Sequence, residues 1–225
     1  MTLMALDRLY AEKPATYYEM ARREIIDVVP IGNHSVLEVG CGTGNTGSAL
    51  KVMGRASEVV GIELNERSAE VARRQLDTVL VGNVEELVLP FENERFDFII
   101  FGDVIEHLID PWTQLRRLSA LLKADGKMVA TIPNVRNWKV VGPLLLFGRW
   151  RYQDWGLLDK GHLRFFTKEG MSDLFEQAGL AVVRLSPLLG FSSKSGKVNA
   201  LTFGVLEGLL APHYLVIGSK ASGHP

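Results

Sequence analysis

The chain has almost no cysteine and no long apolar run. Cys41 is the single cysteine among its 225 residues, which excludes an internal disulfide framework. No stretch of about 18 apolar residues occurs, so we expect no membrane span, and peripheral contact with a membrane stays open. Residues 1–13 carry charges of both signs and no long apolar core, so we expect no signal peptide and a cytoplasmic protein.

An excess of charge of one sign is also lacking. The chain has 25 Lys and Arg against 26 Asp and Glu, and no block of basic residues, which argues against nonspecific binding to nucleic acid. No cysteine–histidine cluster has the spacing of a metal site, so we expect no metal. Hydrophobic residues make up 47% and charged residues 23%, which is ordinary for one globular domain, 1–225.

The other predictions depend on a glycine-rich stretch that follows an apolar run. It reads Val36-Leu37-Glu38-Val39-Gly40-Cys41-Gly42-Thr43-Gly44. The apolar residues favour a buried strand, and glycines at its end let the backbone turn sharply and approach a ligand. The Gly-x-Gly-x-x-Gly pattern of dinucleotide-binding proteins is not met, because Asn45 stands in the place of its third glycine. This spacing disfavours a dehydrogenase.

The pattern Glu38-x-Gly40-x-Gly42-x-Gly44 resembles motif I of class I methyltransferases. These enzymes use S-adenosylmethionine (SAM) and release S-adenosylhomocysteine (SAH). The resemblance implies a Rossmann-like α/β fold, with a seven-stranded, mostly parallel sheet, an antiparallel last strand and helices on both faces. SAM carries a sulfonium and an ammonium and no phosphate, so an acid beside the turn suits it. A plain tight turn with a solvated Glu38 is the alternative. Cys41 belongs to the cofactor-binding turn and is not a nucleophile.

Strand-like and helix-like segments alternate along most of the chain. Strands are predicted at 35–39, 59–63, 78–81, 96–101, 127–132, 180–185 and 214–218. Helices are predicted at 14–29, from strand one to Met53, after the caps Asn65, Asp110 and Thr167, and near 200–210. This alternation implies a parallel sheet covered on both faces. It stops at 133–166, where we predict an irregular substrate lid inserted in the single domain.

Two of these helices are predicted from the spacing of apolar residues. In the N-terminal helix the shared face holds Tyr17, Ala21, Ile25 and Val28. In the helix that begins at Asp110-Pro111 the apolar face holds Trp112, Leu115, Leu118 and Leu122. A turn at Asp125-Gly126 then leads into the fifth strand.

Polar residues just after strands two and three extend the cofactor site, because ligands of open α/β sheets lie at the carboxyl ends of the strands. The carboxylate of Glu63 can accept both hydroxyls of a ribose, with Leu64 beside it. The alternative is an acid that only starts a helix. In the family that the chain resembles, an acid or amide after strand three binds the adenine amino group, which implies Asn83 with Val84 beside the ring. The alternative is a turn asparagine.

The loop after strand four, 102–111, carries an acid, a Glu-His pair and Asp-Pro, as in the methyltransferases that the chain resembles. The resemblance implies that Asp103 lies beside the methionine end of SAM. Glu106 and His107 either tie the loop to the sheet or, for His107, supply a catalytic base. The Asn/Asp-Pro-Pro-aromatic motif of enzymes that methylate amino groups of nucleic-acid bases is absent. We therefore expect no nucleic-acid partner.

Aromatic residues concentrate in the predicted lid. Trp138, Trp150 and Trp155 are three of the four tryptophans. Aromatic rings stack on the C–H face of a sugar while charged groups hold its hydroxyls. This favours substrate binding by Trp138, Arg151, Trp155 and Arg164, whereas the alternative is a cap that only covers the core.

The stretch 159–167, Asp-Lys-Gly-His-Leu-Arg-Phe-Phe-Thr, is similar to one in bacterial methyltransferases found with cell-surface polysaccharide enzymes. It also resembles the group around ubiquinone-biosynthesis O-methyltransferases. These resemblances imply methyl transfer to a hydroxyl of a sugar or another small molecule, in surface polysaccharide or secondary-metabolite biosynthesis. An alcohol must lose its proton, so a base is expected, with His162 first and then His107 and Asp159.

Two further hypotheses stay open. N-methylation of an amino sugar or small amine would need less help from a base. A chain that binds SAM as a non-catalytic partner subunit would need no base, and product formation from labelled SAM separates this case from the enzymes. The sequence carries no expectation of an oligomeric state.

Overall fold

The computed structural model describes residues 20–189 and 193–220. Its strands are β1 (Ser35–Val39), β2 (Glu58–Glu63), β3 (Thr78–Val81), β4 (Phe96–Gly102), β5 (Leu122–Pro133), β6 (Leu180–Pro187) and β7 (His213–Lys220). They form one seven-stranded sheet in the order β3-β2-β1-β4-β5-β7-β6. Neighbouring strands are parallel except that β7 runs antiparallel to β5 and β6. The predicted Rossmann-like fold, with an antiparallel last strand, is confirmed.

Helices connect the strands. They are α1 (Arg23–Ile26), α2 (Asn45–Val52), α3 (Glu66–Ala72), α4 (Pro111–Ser119), α5 (Trp138–Phe147), α6 (Lys168–Gln177), α7 (Lys194–Leu201) and α8 (Glu207–Leu210). A short 3-10 helix spans Ile105–His107 after β4. The predicted single helix near 200–210 is wrong, since α7 and α8 are separate helices and α7 begins already at Lys194.

The sheet is covered on both faces, because successive side chains of a strand point to opposite sides. Leu37 of β1 belongs to a core that includes Leu115 of α4 and Phe175 of α6. Val36, its neighbour in the chain, belongs to a second core, with Leu50 of α2 and residues of α1 and α3. The central strands are therefore mostly apolar on both faces, as is usual for parallel strands buried on both sides, although β1 carries Glu38 and β4 carries Asp97.

The three predicted helix caps are confirmed. The Asn65 side chain accepts a hydrogen bond from the Ser68 backbone N–H (3.0 Å) at the start of α3. Asp110 accepts from the Thr113 N–H (3.1 Å), with Pro111 at the first helical position of α4. Thr167 starts α6 by accepting from the Gly170 N–H (3.2 Å). Each bond satisfies an N–H group that has no partner inside its helix.

The predicted N-terminal helix, 14–29, can be compared with the structure only over residues 20–29. Among these residues Arg23–Ile26 is helical, and residues 14–19 lie outside the described residues. Arg22 has ψ 87°, outside the helical range, and its backbone N–H bonds to Thr46 Oγ1 (3.1 Å). This long-range bond draws the segment before α1 towards α2, which the apolar spacing could not show.

The fifth strand begins earlier than predicted. Leu122, assigned to the apolar face of the preceding helix, lies at the start of β5. Asp125-Gly126 lies inside the strand and not in a turn. The register of β4 with β5 shifts between Phe96 and Phe98, so an irregularity in pairing accommodates these residues without ending the strand.

The predicted irregular lid contains a helix. Asn137 caps α5 by accepting from the Lys139 N–H (3.1 Å), and Gly148 ends it with φ 60°. Pro143 and apolar residues on all sides of α5 concealed the helical period in the sequence. No helix in the described part of the chain is both long and apolar enough to cross a membrane.

Candidate functional site

A cavity lies at the carboxyl ends of β1, β2 and β4, where ligands of open α/β sheets bind. It contains about 1090 Å³ of space, including its open mouth. Its walls include most of the predicted cofactor-binding residues: Glu38, Gly40, Cys41, Gly42, Glu63, Leu64, Asn83, Val84 and Asp103. The predicted base His107 also lines it. The fold therefore brings together side chains that are far apart in the sequence.

The glycine turn depends on left-handed backbone conformations. Gly40 has φ 69° and Gly42 has φ 54°, a region that residues with a side chain rarely adopt. A Cβ on Gly40 would lie 2.4 Å from Cγ2 of Val104, so this turn also packs closely against the loop after β4. Gly44 is placed differently from its prediction, since it packs at the start of α2 against Ala72 and Leu76 and does not line the cavity.

Glu63 links the end of β2 to the glycine turn. One carboxylate oxygen accepts from the Gly42 N–H (2.8 Å) and the other from the Asn65 N–H (2.8 Å). Burial raises the pKa of Glu63, although hydrogen bonds from the backbone of Asn65, Gly42 and Leu64 oppose this shift. A carboxylate has about four lone-pair sites, so Glu63 keeps room for a ligand hydroxyl.

Glu38 is buried beneath the glycine turn and is not solvated. Its carboxylate accepts from the Gly47 N–H (3.0 Å) at the start of α2. Burial raises the pKa of Glu38 to about 8, and this rise is opposed by hydrogen bonds from Gly47 and Thr46. Burial, with the charges of Glu38 and Glu63, likewise raises the pKa of the Cys41 thiol, which is consistent with a thiol that is no nucleophile.

Asn83 and Val84 form the wall nearest to β3. Asn83 Oδ1 accepts from the Glu85 N–H (3.0 Å). Asn83 therefore acts as a turn asparagine, which was the alternative prediction for this residue. The same oxygen retains a second lone pair. Val84 is buried and belongs to the core under this wall.

Asp103 and Arg22 form an ion pair in the cavity wall at the end of β4. Arg22 Nη1 lies 2.8 Å from Asp103 Oδ2, and the other oxygen of Asp103 accepts from Thr131 Oγ1 (2.8 Å). Asp103 is held with φ 56°, in the left-handed region. The sequence prediction did not include Arg22, because it precedes β1 in a segment without a recognisable motif.

Glu106, His107 and His162 form a buried group that we call the histidine cluster. The rings of His107 and His162 have centroids 4.8 Å apart. Nδ1 of His107 lies 2.9 Å from the Gly161 carbonyl oxygen, and Nδ1 of His162 lies 3.2 Å from that of Leu157. Burial lowers the pKa of His107 to about 4 and also lowers the pKa of His162. Both imidazoles are therefore neutral near pH 7.

Residues 8–185 match the family described as methyltransferase domain. The chain belongs to the methyltransferase domain family. A demethylmenaquinone methyltransferase of Staphylococcus aureus is 29% identical over 188 residues, which are 76% of this chain and 75% of that protein.

Solved structures support the same fold. A SAM-dependent methyltransferase of Archaeoglobus fulgidus has a TM-score of 0.66 and 17% identity, over 97% of this chain and 100% of that one. Another, of Thermotoga maritima, has a TM-score of 0.61 and 22% identity, over 97% and 92% of the two chains. The enzyme is a SAM-dependent methyltransferase, and SAM is its cofactor.

The predicted base His162 does not line the cavity of the methyltransferase. Its ring lies behind His107, and 8% of the residue is exposed. Asp159, the third candidate base, is buried and accepts from the Gly161 N–H (2.7 Å), so it shapes the turn that carries His162. His107 is the candidate base that faces the cavity.

The four predicted substrate-binding residues are not brought together by the methyltransferase fold. Trp138 and Trp155 are 52% and 77% exposed, and Arg151 is also exposed. Nε of Arg164 donates to the Ile109 carbonyl oxygen (3.1 Å), and its guanidinium lies over the Trp112 ring. None of the four lines the described cavity, and their role in substrate binding stays a prediction.

Proposed function

We propose that this methyltransferase transfers the methyl group of SAM to a hydroxyl of a sugar or another small molecule. The single observation that carries this proposal is the position of His107. Its neutral imidazole lines the cavity. Like Asp103, His107 belongs to the loop after β4, whereas the glycine turn follows β1. A neutral imidazole at the acceptor end suits an acceptor that must lose a proton.

In this proposal, one wall of the cavity holds the adenosine part of the cofactor. Glu63 accepts from the ribose hydroxyls, with Leu64 beside it. Asn83 accepts from the adenine amino group through the remaining lone pair of Oδ1, and Val84 packs against the ring. These assignments are supported by the position of all four residues in the wall formed after β2 and β3.

The other wall holds the methionine part. Asp103 and Arg22 offer charges of opposite sign 2.8 Å apart, which matches the ammonium and the carboxylate of an amino acid. Gly40, Cys41 and Gly42 supply close backbone approach, and Glu38 places a buried carboxyl group beneath the turn. The opposite charges of Asp103 and Arg22 are thus complementary to the ammonium and the carboxylate of the cofactor.

When bound, SAM would supply an electrophilic methyl group on its sulfonium, which would leave as the neutral sulfide of SAH. The protein positions the acceptor oxygen in line with that methyl group, excludes water, and receives the acceptor proton. Such positioning alone contributes much of the rate in a transfer between two bound reactants. His107 is placed to receive the proton at Nε2, since Nδ1 points to the Gly161 carbonyl oxygen. His162 and Asp159 hold this side of the cavity in shape.

A second acceptor class, an apolar molecule of the quinone type, is favoured by two observations. The Staphylococcus aureus relative is named for demethylmenaquinone. In this chain α5 exposes Leu145 and Leu146, each at least three-quarters exposed, and also Phe147. An apolar surface of this kind suits an apolar acceptor or the membrane that contains it.

The test is an assay with methyl-labelled SAM and purified protein. Acceptors are nucleotide sugars, matched amino sugars and a demethylated quinol, and NMR locates the new methyl group. We expect a labelled O-methyl product. A product labelled only on nitrogen would replace this proposal by the amine hypothesis, and SAM binding without turnover on any acceptor would favour a non-catalytic chain.

A further inference from the structure

The histidine cluster has the composition of a metal site. One carboxylate oxygen of Glu106 and one nitrogen each of His107 and His162 lie within 4.8 Å of one another. We propose that these three side chains bind one divalent transition-metal ion at the acceptor end of the cavity. The binding site stands on its own geometry, and only its role toward the acceptor rests on the proposed function.

The two imidazoles present the right nitrogen atoms. Nδ1 of His107 and Nδ1 of His162 each lie at hydrogen-bond distance from a backbone carbonyl oxygen, 2.9 Å and 3.2 Å away. A carbonyl only accepts, so each Nδ1 carries the proton and each Nε2 carries the lone pair. Histidines that bind metals commonly donate their other N–H to a carbonyl in this way, which fixes the tautomer and the ring orientation.

Glu106 needs a partner that the described part of the chain does not supply. It is 1% exposed, and neither of its carboxylate oxygens has a hydrogen-bond partner among the described residues. A buried carboxylate without donors or a cation is costly. The charges of Asp103 and Asp159 make its surroundings more negative, although Arg22 opposes them. A cation in the cluster satisfies both conditions.

The spacing suits an inserted ion better than a direct hydrogen bond. Nε2 of His162 lies 3.8 Å from Oε1 of Glu106, which is too long for a hydrogen bond. Ligand atoms bonded to one tetrahedral ion at about 2.0–2.2 Å are roughly 3.3–3.6 Å apart. The widest separation in the cluster, up to 4.8 Å, closes to this value with a side-chain movement of about 1 Å.

The backbone holds the ligands in register. Glu106 and His107 belong to the 3-10 helix after β4. The Glu106 carbonyl oxygen accepts from the N–H groups of Leu163 and Arg164, at 2.8 Å and 3.0 Å, which fixes the residues that follow His162. The site therefore joins two segments far apart in the sequence. The ligands are therefore not all close together in the sequence, and for this reason no metal was expected from it.

The ligand set points to the class of ion. Two imidazoles and one carboxylate suit Zn²⁺, Fe²⁺, Co²⁺ or Mn²⁺, whereas Mg²⁺ and Ca²⁺ prefer oxygen ligands only. Three protein ligands leave at least one coordination position open, as in catalytic sites. Because His107 lines the cavity, the open position is within reach of a bound acceptor. A bound divalent ion would lower the pKa of a coordinated hydroxyl, whose proton would then leave to solvent water through the open mouth of the cavity. In that case His107 and His162 act as metal ligands, and His107 is not the base named in the proposed function.

Binding of Co²⁺ tests the site without SAM or an acceptor. Purified full-length protein is treated with a chelator, dialysed and titrated with Co²⁺, and the binding is followed by visible absorption and calorimetry. We expect one Co²⁺ per chain and a visible absorption spectrum typical of a Co²⁺ ion with a low coordination number. Zn²⁺ should displace the bound Co²⁺, because it binds such sites more tightly.

Three variants provide the comparison. Glu106→Gln and His162→Gln should each weaken Co²⁺ binding by at least about ten-fold, since each removes a ligand. His34→Gln is the matched control, because His34 packs on Phe98 before β1, away from the cluster, and should bind Co²⁺ as the wild type does. Thermal unfolding with and without Co²⁺ checks each variant, and we expect Co²⁺ to raise Tm only for the wild type and the control.

The outcomes separate this inference from the proposed function. Wild-type protein that binds no Co²⁺ at millimolar concentration, or cluster variants that bind it as tightly as the wild type, would overturn the metal site. O-methylation that continues at full rate in metal-free protein would overturn the role of the ion toward the acceptor and would keep the proposed function with His107 as base. One-to-one Co²⁺ binding that requires Glu106 and His162 would support the metal site even if no acceptor in the panel is methylated.

Discussion

The carboxylate of Glu63, at the end of β2, accepts a hydrogen bond of 2.8 Å from the backbone N–H of Gly42. Gly42 lies in the turn after β1, on the neighbouring strand of the sheet. The same carboxylate group accepts from the Asn65 N–H through its other oxygen. Glu63, which is proposed to bind the ribose, therefore also holds the glycine turn. A substitution of Glu63 or of Gly42 should alter cofactor binding.

Removal of the Glu63 carboxylate should weaken cofactor binding. For Glu63→Ala we expect a loss of about 1.5–3 kcal/mol in the binding free energy of SAH, the scale of hydrogen bonds to a charged group. Isothermal calorimetry measures it. Glu58→Ala is the control, because Glu58 starts the same strand and pairs with Arg95 away from the cavity. An unchanged dissociation constant for Glu63→Ala would leave Glu63 a purely structural residue.

A side chain at Gly42 should block the cofactor. Gly42→Val adds a branched side chain at φ 54°, in the cavity wall. Gly54→Val is the control for backbone strain, because Gly54 has φ 65° and a Cβ there meets no atom within 4 Å. Both variants should lose about 1–3 kcal/mol of stability. Only Gly42→Val should lose SAM binding, and wild-type affinity in a folded Gly42→Val protein would contradict the proposed site.

Glu38 should make the stability of the ligand-free protein depend on pH. Its pKa is raised to about 8 by burial, from an ordinary value of 4.5. Between these values the unfolded chain has released a proton that the folded chain still holds, so the free energy of unfolding falls as pH rises. The limiting slope is about 1.4 kcal/mol per pH unit.

Glu38→Gln isolates this contribution from the other titrating groups. Unfolding in urea at about pH 5.5 and pH 7.5 gives the stability of both proteins. Between the two conditions the wild type should lose stability relative to Glu38→Gln. The loss per pH unit should approach the limiting slope. Equal changes in the two proteins would show that Glu38 is ionised in the fold throughout this range.

Arg22 should recognise the amino-acid end of the cofactor. Arg22→Met removes the cation paired with Asp103, and we expect SAH to bind roughly ten-fold or more weakly. Methylthioadenosine lacks the amino-acid end and should bind both proteins alike. Arg23→Met is the control, since the Arg23 side chain is exposed. Equal losses for both ligands would mean that Arg22 only supports the fold.

The 133–166 segment should become protected when both ligands bind, as expected of a lid. Arg149 and Arg151 are exposed just after α5 and offer sites for trypsin. We expect cleavage after these residues to slow in the presence of SAH and an acceptor, as followed by mass spectrometry. Cleavage at Arg23, which is also exposed, is the internal reference. Equal rates with and without ligands at Arg149 and Arg151 would count against a lid.

Local patterns in the sequence were sufficient for most of the fold. The apolar run before Gly40, the caps Asn65 and Thr167, and the Asp110-Pro111 start depend on neighbouring residues, so the sequence alone determined them. The class of cofactor also followed from a short motif. These features share a physical basis: strand burial, helix capping and left-handed turns are decided within a few residues of the chain.

Only the tertiary structure decided which distant groups meet. The bond from the Arg22 N–H to Thr46 Oγ1 accompanies a non-helical Arg22 just before α1, and the irregular pairing of β4 extended β5 back to Leu122. Folding also placed His162 behind His107 and beside Glu106, although the Glu106-His107 pair and His162 belong to segments that are far apart in the sequence. Their burial and mutual distances depend on how the segment after α5 packs on the loop after β4, and such long-range packing leaves no periodic signal in the sequence.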